Sequence, residues 1–286
     1  EKEGRGMNKY VIKRGIFSSL KTITLLLLAL IILFPFWQLI VSSLLETNAI
    51  ISYPPKFWPK GGSVNNYVEV LTMQGGAYMR WMANSLFVSG ANTILVILVA
   101  AMAGYAFAKR KFPGRSVLLN IVIATQIIPS VTTLIPLFLI VSKLGWVNTY
   151  KSLIFPGVAN AFGVYMMTQF MKDIPDSLLE AATIDGCGEY GKFFKIVMPI
   201  TVPQLSLLAI FNFTNQWGSL TWPLITVNET MMKTLPLGIA SMKDLNGTLT
   251  GTIMAASMIS FIPLLIAFIF ASDKFIEGMT LGAVKG

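Results

Sequence analysis

Histidine is absent from this 286-residue chain, and Cys187 is its one cysteine. The first absence removes the commonest metal ligand and the usual proton relay near neutral pH. The second excludes an internal disulfide. Charge is scarce too: Asp, Glu, Lys and Arg make up 12% of residues, against about 25% in a typical soluble protein. Hydrophobic residues reach 54%, so too little polar surface remains to face water on every side. Lipid must therefore be the solvent for much of the chain. No G-x-x-x-x-G-K-[ST] phosphate loop occurs, since Gly191-Lys192 runs on into Phe193. ATP hydrolysis by that route would need another polypeptide.

What is present is long apolar runs. A helix needs roughly 20 consecutive apolar residues to cross a hydrocarbon core of about 30 Å. Six segments meet that length approximately: 23–45, 84–108, 117–142, 152–170, 202–227 and 252–271, none of them holding Asp, Glu, Lys or Arg. Unbroken runs of this kind point to helices rather than to the weak ten-residue alternation of a barrel. The sequence thus predicts an all-α, multi-pass membrane protein with six spans, forming a single domain over residues 1–286.

Basic residues alternate between loops, as the positive-inside rule requires. Fifteen of the 22 Lys and Arg lie in the two tails, in the loop from Lys109 to Ser116, and in the loop 171–198. Both tails and those two loops are therefore predicted to be cytoplasmic. Distributed in this way, the net charge of +9 reads as topology and contact with anionic headgroups, not as nucleic-acid binding. The opposite loop, 46–79, is rich in Pro, Gly and aromatics, which suits an anchor at the membrane–water boundary.

The loop 171–198 contains Ile174-Pro-Asp-Ser-Leu-Leu-Glu-Ala-Ala-Thr-Ile-Asp-Gly186. Pro175 disfavours helix at Ile174, and Ser177 with Glu180 has the spacing of a capping box. Gly186, after Asp185, can take the left-handed conformation that closes a helix. A second short helix is predicted near residues 190–197, joined through Met198-Pro199 to the next span. Small side chains at Ala181 and Ala182 would let the first helix lie closely in a groove of another protein. The residues alone leave two readings open, a coupling element or an amphipathic loop without a partner.

Glu180-Ala181-Ala182, three residues, Gly186, nine residues and Ile196-Val-Met-Pro199 resemble the "EAA" loop of ABC import permeases. The one departure is Met198 where the family has Leu. Asn84-Ser85-Leu86, the stretch 103–114, Ile128-Pro129, 134–137, 144–149 and the tail 278–286 are similar to carbohydrate-type permeases of maltose-like systems. Asp273-Lys274-Phe275 and Trp217-Gly218-Ser219 depart from the family's usual residues, the latter leaving the substrate open. The resemblance implies a bacterial cytoplasmic (inner) membrane subunit without catalysis or cofactor of its own. It also implies a second homologous permease, two ATPase subunits that bind ATP and Mg, an extracytoplasmic solute-binding protein, and a sugar or oligosaccharide substrate. Glu180, Ala181, Ala182, Asp185, Gly186 and Pro199 would carry the coupling to the ATPase. Glycerol phosphate or another polar solute is the alternative cargo.

The rival class is an ion-coupled transporter or channel. Proton coupling normally uses an intramembrane carboxylate or histidine, and the six runs have neither. Polar residues inside spans need partners, because lipid offers none. The densest group is Asn212, Asn215, Gln216 and Ser219 beside Trp217, with Gln126 and Asn160 secondary. These residues are the predicted substrate-pathway face, the alternative being hydrogen bonding between helices. The row Ala100, Gly104, Ala108 reads as helix packing.

Overall fold

The computed structural model describes the backbone of residues 2–244, 247–248 and 250–283, and the side chains of residues 19–73, 75–242 and 250–269. The basic residues before 19, the side chains of Asp273-Lys274-Phe275 and the tail motif 278–286 lie outside the described side chains. Two compact units are present, residues 1–70 with 243–259, and residues 71–242 with 260–286. The fold is all-α, apart from one antiparallel pair of two-residue strands, Lys243–Asp244 and Gly247–Thr248.

The first unit is built on helix α1 (Lys2–Leu44). Its apolar side chains from Leu25 to Phe34 stand largely exposed, as a helix bathed in lipid requires. Where α1 ends, its open carbonyls need donors, and a side chain from the short helix Asn65–Thr72 supplies them. Asn66 Nδ2 donates to the carbonyls of Ser43 (2.8 Å) and Leu45 (2.9 Å), and Ser43 Oγ lies 2.7 Å from the Tyr67 hydroxyl. Trp37 donates to the Phe57 carbonyl and packs edge-on against Trp58.

The second unit is organised around helix α2 (Ala77–Lys109), which runs 33 residues without a proline. Helices α3 (Arg115–Ala124) and α4 (Ser130–Lys143) follow, then α5 (Ala161–Lys172), α6 (Asp176–Ile184), α7 (Val202–Trp217) and α8 (Thr250–Ala283), of which residues from 260 onward fall in this unit. Its core joins Val96, Ala100 and Tyr105 of α2 to Met167 and Met171 of α5 and Leu208 of α7. A β-carbon on Gly104 would lie 2.7 Å from Met167 Cβ, closer than two carbons pack. The small-residue row of α2 is therefore the seam that lets α5 approach.

Three helical stretches are long and apolar enough to cross a membrane among the described residues: Ser19–Leu44, Ala77–Lys109 and Thr250–Ile269. Counting each bent pair as one span gives up to five. The run predicted at 117–142 bends by 102° between Ile127 and Ser130. Pro129 explains it, because a residue before proline is pushed out of the helical region, and Ile128 is extended (φ −73°, ψ 119°). The run predicted at 152–170 is divided into Tyr150–Ile154, a 3-10 turn Phe155–Gly157 and α5, with Pro156-Gly157 at the interruption. The run predicted at 202–227 ends at Trp217, and a separate short helix follows at Thr221–Thr226.

At the Ala77 end of α2, Trp81 Nε1 donates to the Thr230 carbonyl at 2.7 Å. Asn84 Nδ2 donates to the carbonyls of Met231 and Lys233, while Ser85 Oγ accepts from the Leu235 amide. The segment 230–235 is thereby fixed to α2 by three neighbouring side chains.

Candidate functional site

The loop between α5 and α7 begins where Pro175 interrupts the chain. Helix α6 starts at Asp176 with Pro175 at its N-cap, two residues earlier than a capping box on Ser177 would place it. No side-chain cap forms at its start, and Glu180 projects outward. The predicted Ser177–Glu180 box is therefore absent. Asp176 takes its place electrostatically, as an acid in the first turn, where the helix dipole favours negative charge, and as the ion-pair partner of Lys109 at 2.8 Å.

The far end of α6 follows the sequence expectation. Gly186 has φ +77°, its amide donates to the Thr183 carbonyl at 3.0 Å, and the Cys187 amide donates to the Ala182 carbonyl at 2.8 Å. These two bonds form a Schellman motif, which needs a left-handed residue at this point. Glu180, Ala181, Asp185 and Gly186 are exposed, and Ile184 is 88% exposed. Ala182 faces the other way and is buried. A partner surface can thus meet Ala181 but not Ala182, whose small size serves the internal packing.

The second short helix begins as Glu189–Lys192, widens into a π-helical turn at 193–197 and closes as Met198–Ile200. A 77° bend then separates it from α7, with Pro199 exposed beside the bend. Glu189 organises this half of the loop. Its Oε1 accepts from the buried Lys192 at 3.0 Å, and its Oε2 accepts from Tyr105 at 3.2 Å and Arg110 at 2.8 Å. These donors hold the Glu189 carboxyl below the usual range, the Lys192 hydrogen bond contributing most. The hydrogen bond and charge of Lys109 do the same for Asp176.

The predicted pathway residues do not share one face. Asn212 is buried, and its Nδ2 donates to Asn92 Oδ1 at 2.9 Å and Thr93 Oγ1 at 3.1 Å. Asn160, whose Oδ1 caps α5 at the Gly163 amide, reaches Asn212 Oδ1 at 3.5 Å. Gln216 Nε2 donates to the Leu153 carbonyl at 3.0 Å, and Trp217 is buried with its ring stacked 5.8 Å from Phe213. Asn215 projects outward, and Ser219 lies half-buried beyond the end of α7.

One purpose unites the internal bonds. Where Pro156-Gly157 interrupts the helix, the Ser152, Leu153 and Ile154 carbonyls accept from Trp222, Gln216 and Asn92 respectively. Backbone groups freed by a break at membrane depth must be satisfied by neighbouring side chains. Asn212 and Gln216 belong to that repair, so the hydrogen-bonding reading holds for both. Asn92 was not singled out in the sequence, though an asparagine within an apolar run gives the same signal as Asn212.

A lateral cavity of about 640 Å³ lies beside α2, α7 and residues 261–268, walled by Ile94, Ile97, Ile210, Phe213 and Leu265 among others. Its walls offer hydroxyl-bearing ligands almost nothing to bond. Among the described residues no group of three or more His, Cys, Asp or Glu could hold a metal.

Residues 96–277 match the family described as "Binding-protein-dependent transport system inner membrane component". The chain is 35% identical to the arabinooligosaccharides transport system permease protein of Halalkalibacterium halodurans, covering 95% of this chain and 98% of the relative. It is 31% identical to the trehalose/maltose transport system permease protein of Thermococcus litoralis, covering 98% and 100%. In fold it resembles a chain of a bacterial ABC transporter involved in import of the acidic polysaccharide alginate, with a TM-score of 0.77 at 20% identity over 91% of this chain and 96% of that one.

Proposed function

The chain belongs to the family of binding-protein-dependent transport inner membrane components, and from that premise we propose that it is one permease subunit of an ATP-driven importer of sugars or oligosaccharides. Such a subunit is not an enzyme. Two separate ATPase subunits bind ATP and Mg, an extracytoplasmic solute-binding protein delivers the sugar, and a second homologous permease completes the pathway. The observation that carries this reading is the outward face of α6. Glu180, Ala181, Ile184 and Asp185 stand exposed together on a helix closed by a left-handed glycine. Ile184, 88% exposed between Glu180 and Asp185, offers a partner an apolar contact on that face.

The whole chain acts as one permease domain with six crossings, the fourth being the interrupted stretch 150–172. Both termini and the α6 loop face the cytoplasm, in line with the basic residues. ATP binding draws the ATPase pair together, and the α6 loop moves with the subunit it contacts. Through Pro199 and the bend before α7, that movement opens the pathway between the two permeases first to one side of the membrane and then to the other. Asn215 and Ser219 remain as this chain's pathway contacts, because Asn212, Gln216 and Trp217 are engaged internally. The sugar class rests on the names of the relatives. Uptake of radiolabelled arabinotriose, maltose and trehalose into vesicles holding the full complex tests it. ATP-dependent uptake of at least one supports the reading, and uptake of none with the binding protein present refutes the sugar assignment.

A further inference from the structure

Helix α2 holds the α6 loop at two charged points, and the cation at the first, Lys109, is buried beneath the loop, while its partner Asp176 stands exposed one turn before Glu180. Lys109 Nζ donates to the Lys172 carbonyl at 3.2 Å, to the Ile174 carbonyl and to Asp176 Oδ1 at 2.8 Å. An ammonium group has three donors, and these acceptors use all three. The Lys109 side chain is 4% exposed, whereas that of Asp176 is 76% exposed. One acceptor is the carbonyl of Lys172, the last residue of α5, where the dipole favours a cation, and another is the carbonyl of Ile174, two residues beyond it. The third is in the first turn of α6. One buried cation therefore ties the end of one helix to the start of the next.

The second point lies beyond Gly186. Tyr105, one turn before Lys109 on α2, and Arg110, just past the helix end, both donate to Glu189 Oε2. Residues 177–188, with the exposed Glu180, Ala181 and Ile184, are thus suspended between two grips on the same end of the same helix. At its other end α2 carries Trp81, Asn84 and Ser85, which fix the segment 230–235. With 33 residues and no proline, α2 is a rod of about 50 Å at 1.5 Å per residue, long enough to link the two membrane faces.

We propose that Lys109 is a positioning residue that passes movement of the α6 loop into α2, with Glu189 as the second grip, so that α2 and α7 are driven together. This rests on the coupling role proposed above for the loop. Packing alone allows the loop to slide over α2, whereas charge-assisted bonds to a fully engaged ammonium are directional and hold it in register.

The test uses the complete complex in vesicles, with radiolabelled arabinotriose, maltose and trehalose as probes. Two quantities are measured: ATPase subunit retained on purification, and sugar transported per ATP hydrolysed. Lys109→Met retains the ATPase subunit, because the outward face of α6 is untouched, but loses about tenfold in transport per ATP, the scale of one charge-assisted bond. Asp176→Ala, at an exposed position, loses less, since one acceptor of three is removed. The double variant is no worse than Lys109→Met, as expected for residues acting through one contact. Lys109→Arg recovers part of the ratio. Unchanged transport per ATP in Lys109→Met overturns the proposal, as does parallel loss of transport and ATPase attachment. Should Lys109→Met fail to assemble, Asp176→Ala decides alone, and an unchanged ratio there is equally fatal. Gly186→Val separates the two levels. If it leaves coupling intact the docking reading fails, and if it uncouples while Lys109→Met does not, only the α2 grip fails.

Discussion

Asn212 gives its amide to Asn92 Oδ1 at 2.9 Å, while Asn92 gives its own to the Ile154 carbonyl at 2.7 Å. The pair therefore works as one relay, running from α7 through α2 to a carbonyl beside the break at Pro156-Gly157. Both amides are buried and engaged in the repair of that break. Asn212 and Gln216 of the fifth apolar run accordingly form a joint between helices, while Asn215 and Ser219 stand outside it.

Asn212→Ala should then lower stability, by roughly 1–2 kcal/mol for hydrogen bonds between membrane helices, and reduce the yield of assembled complex. Sugar concentration dependence in the surviving complex should be unchanged. Asn215→Ala should show the opposite pattern: normal assembly and thermal stability, with a raised half-saturating sugar concentration. Uptake measured across sugar concentrations, alongside thermal unfolding in detergent, distinguishes them. A shifted concentration dependence for Asn212→Ala at wild-type stability would return it to the pathway.

How far the sequence went follows from these residues. Apolar run length located every long helix, because the membrane sets that length. It could not show that Ile128-Pro129 turns the chain by 102° or that Pro156-Gly157 interrupts the fourth run, since hydropathy is blind to backbone breaks. Gly186 was legible because a left-handed closure demands glycine. Ser177 and Glu180 have the spacing of a capping box, yet Asp176 occupies the first turn, paired with Lys109, which is distant in sequence. Lys109 itself read only as a topology charge at the end of an apolar run. Its three acceptors depend on how α2 packs against α5, which Gly104 permits but no local pattern reveals.

Orientation is open to a direct check. In a Cys187→Ser background, cysteines replacing Ser63 and Ser116, both exposed, should label from opposite sides of intact cells. Ser63→Cys should react with an impermeant maleimide outside, and Ser116→Cys only after permeabilisation. External labelling of Ser116→Cys would reverse the topology and leave the α6 loop on the wrong side for an ATPase.

Acid should loosen the loop. Asp176 and Glu189 are both held below ordinary carboxylate values by their cationic partners. A lowered folded value means that the stabilisation is complete above the ordinary carboxylate range of about 4. It is lost as pH falls through the lowered folded values. Wild type and the Asp176→Asn/Glu189→Gln double variant should thus differ in amide exchange over residues 172–190 at pH 7. They should converge only below the lowered folded values. Equal exchange at pH 7 would show that neither carboxylate holds the loop.

The α6 loop bears the heaviest functional claim, and Gly186 is the residue on which its geometry turns. At φ +77° a β-carbon costs about 1–2 kcal/mol, and a β-branched residue is disfavoured further. Nothing lies within 4 Å of where that β-carbon would sit, so Gly186→Val meets no internal clash. Its effect must come from the closing turn, which would shift α6 relative to the Glu189 segment. Insertion of the chain should be normal, because no long apolar run is altered. ATPase attachment, or hydrolysis stimulated by loaded binding protein, should fall about tenfold, the equivalent of that strain. Glu180→Lys should weaken attachment without strain, since its side chain is exposed and makes no cap. Gly186→Ala should be intermediate. Co-purification of the ATPase subunit followed by ATP turnover in vesicles measures all three. Normal attachment and stimulated turnover in both Gly186→Val and Glu180→Lys would remove the coupling role from this loop and leave α6 a surface helix.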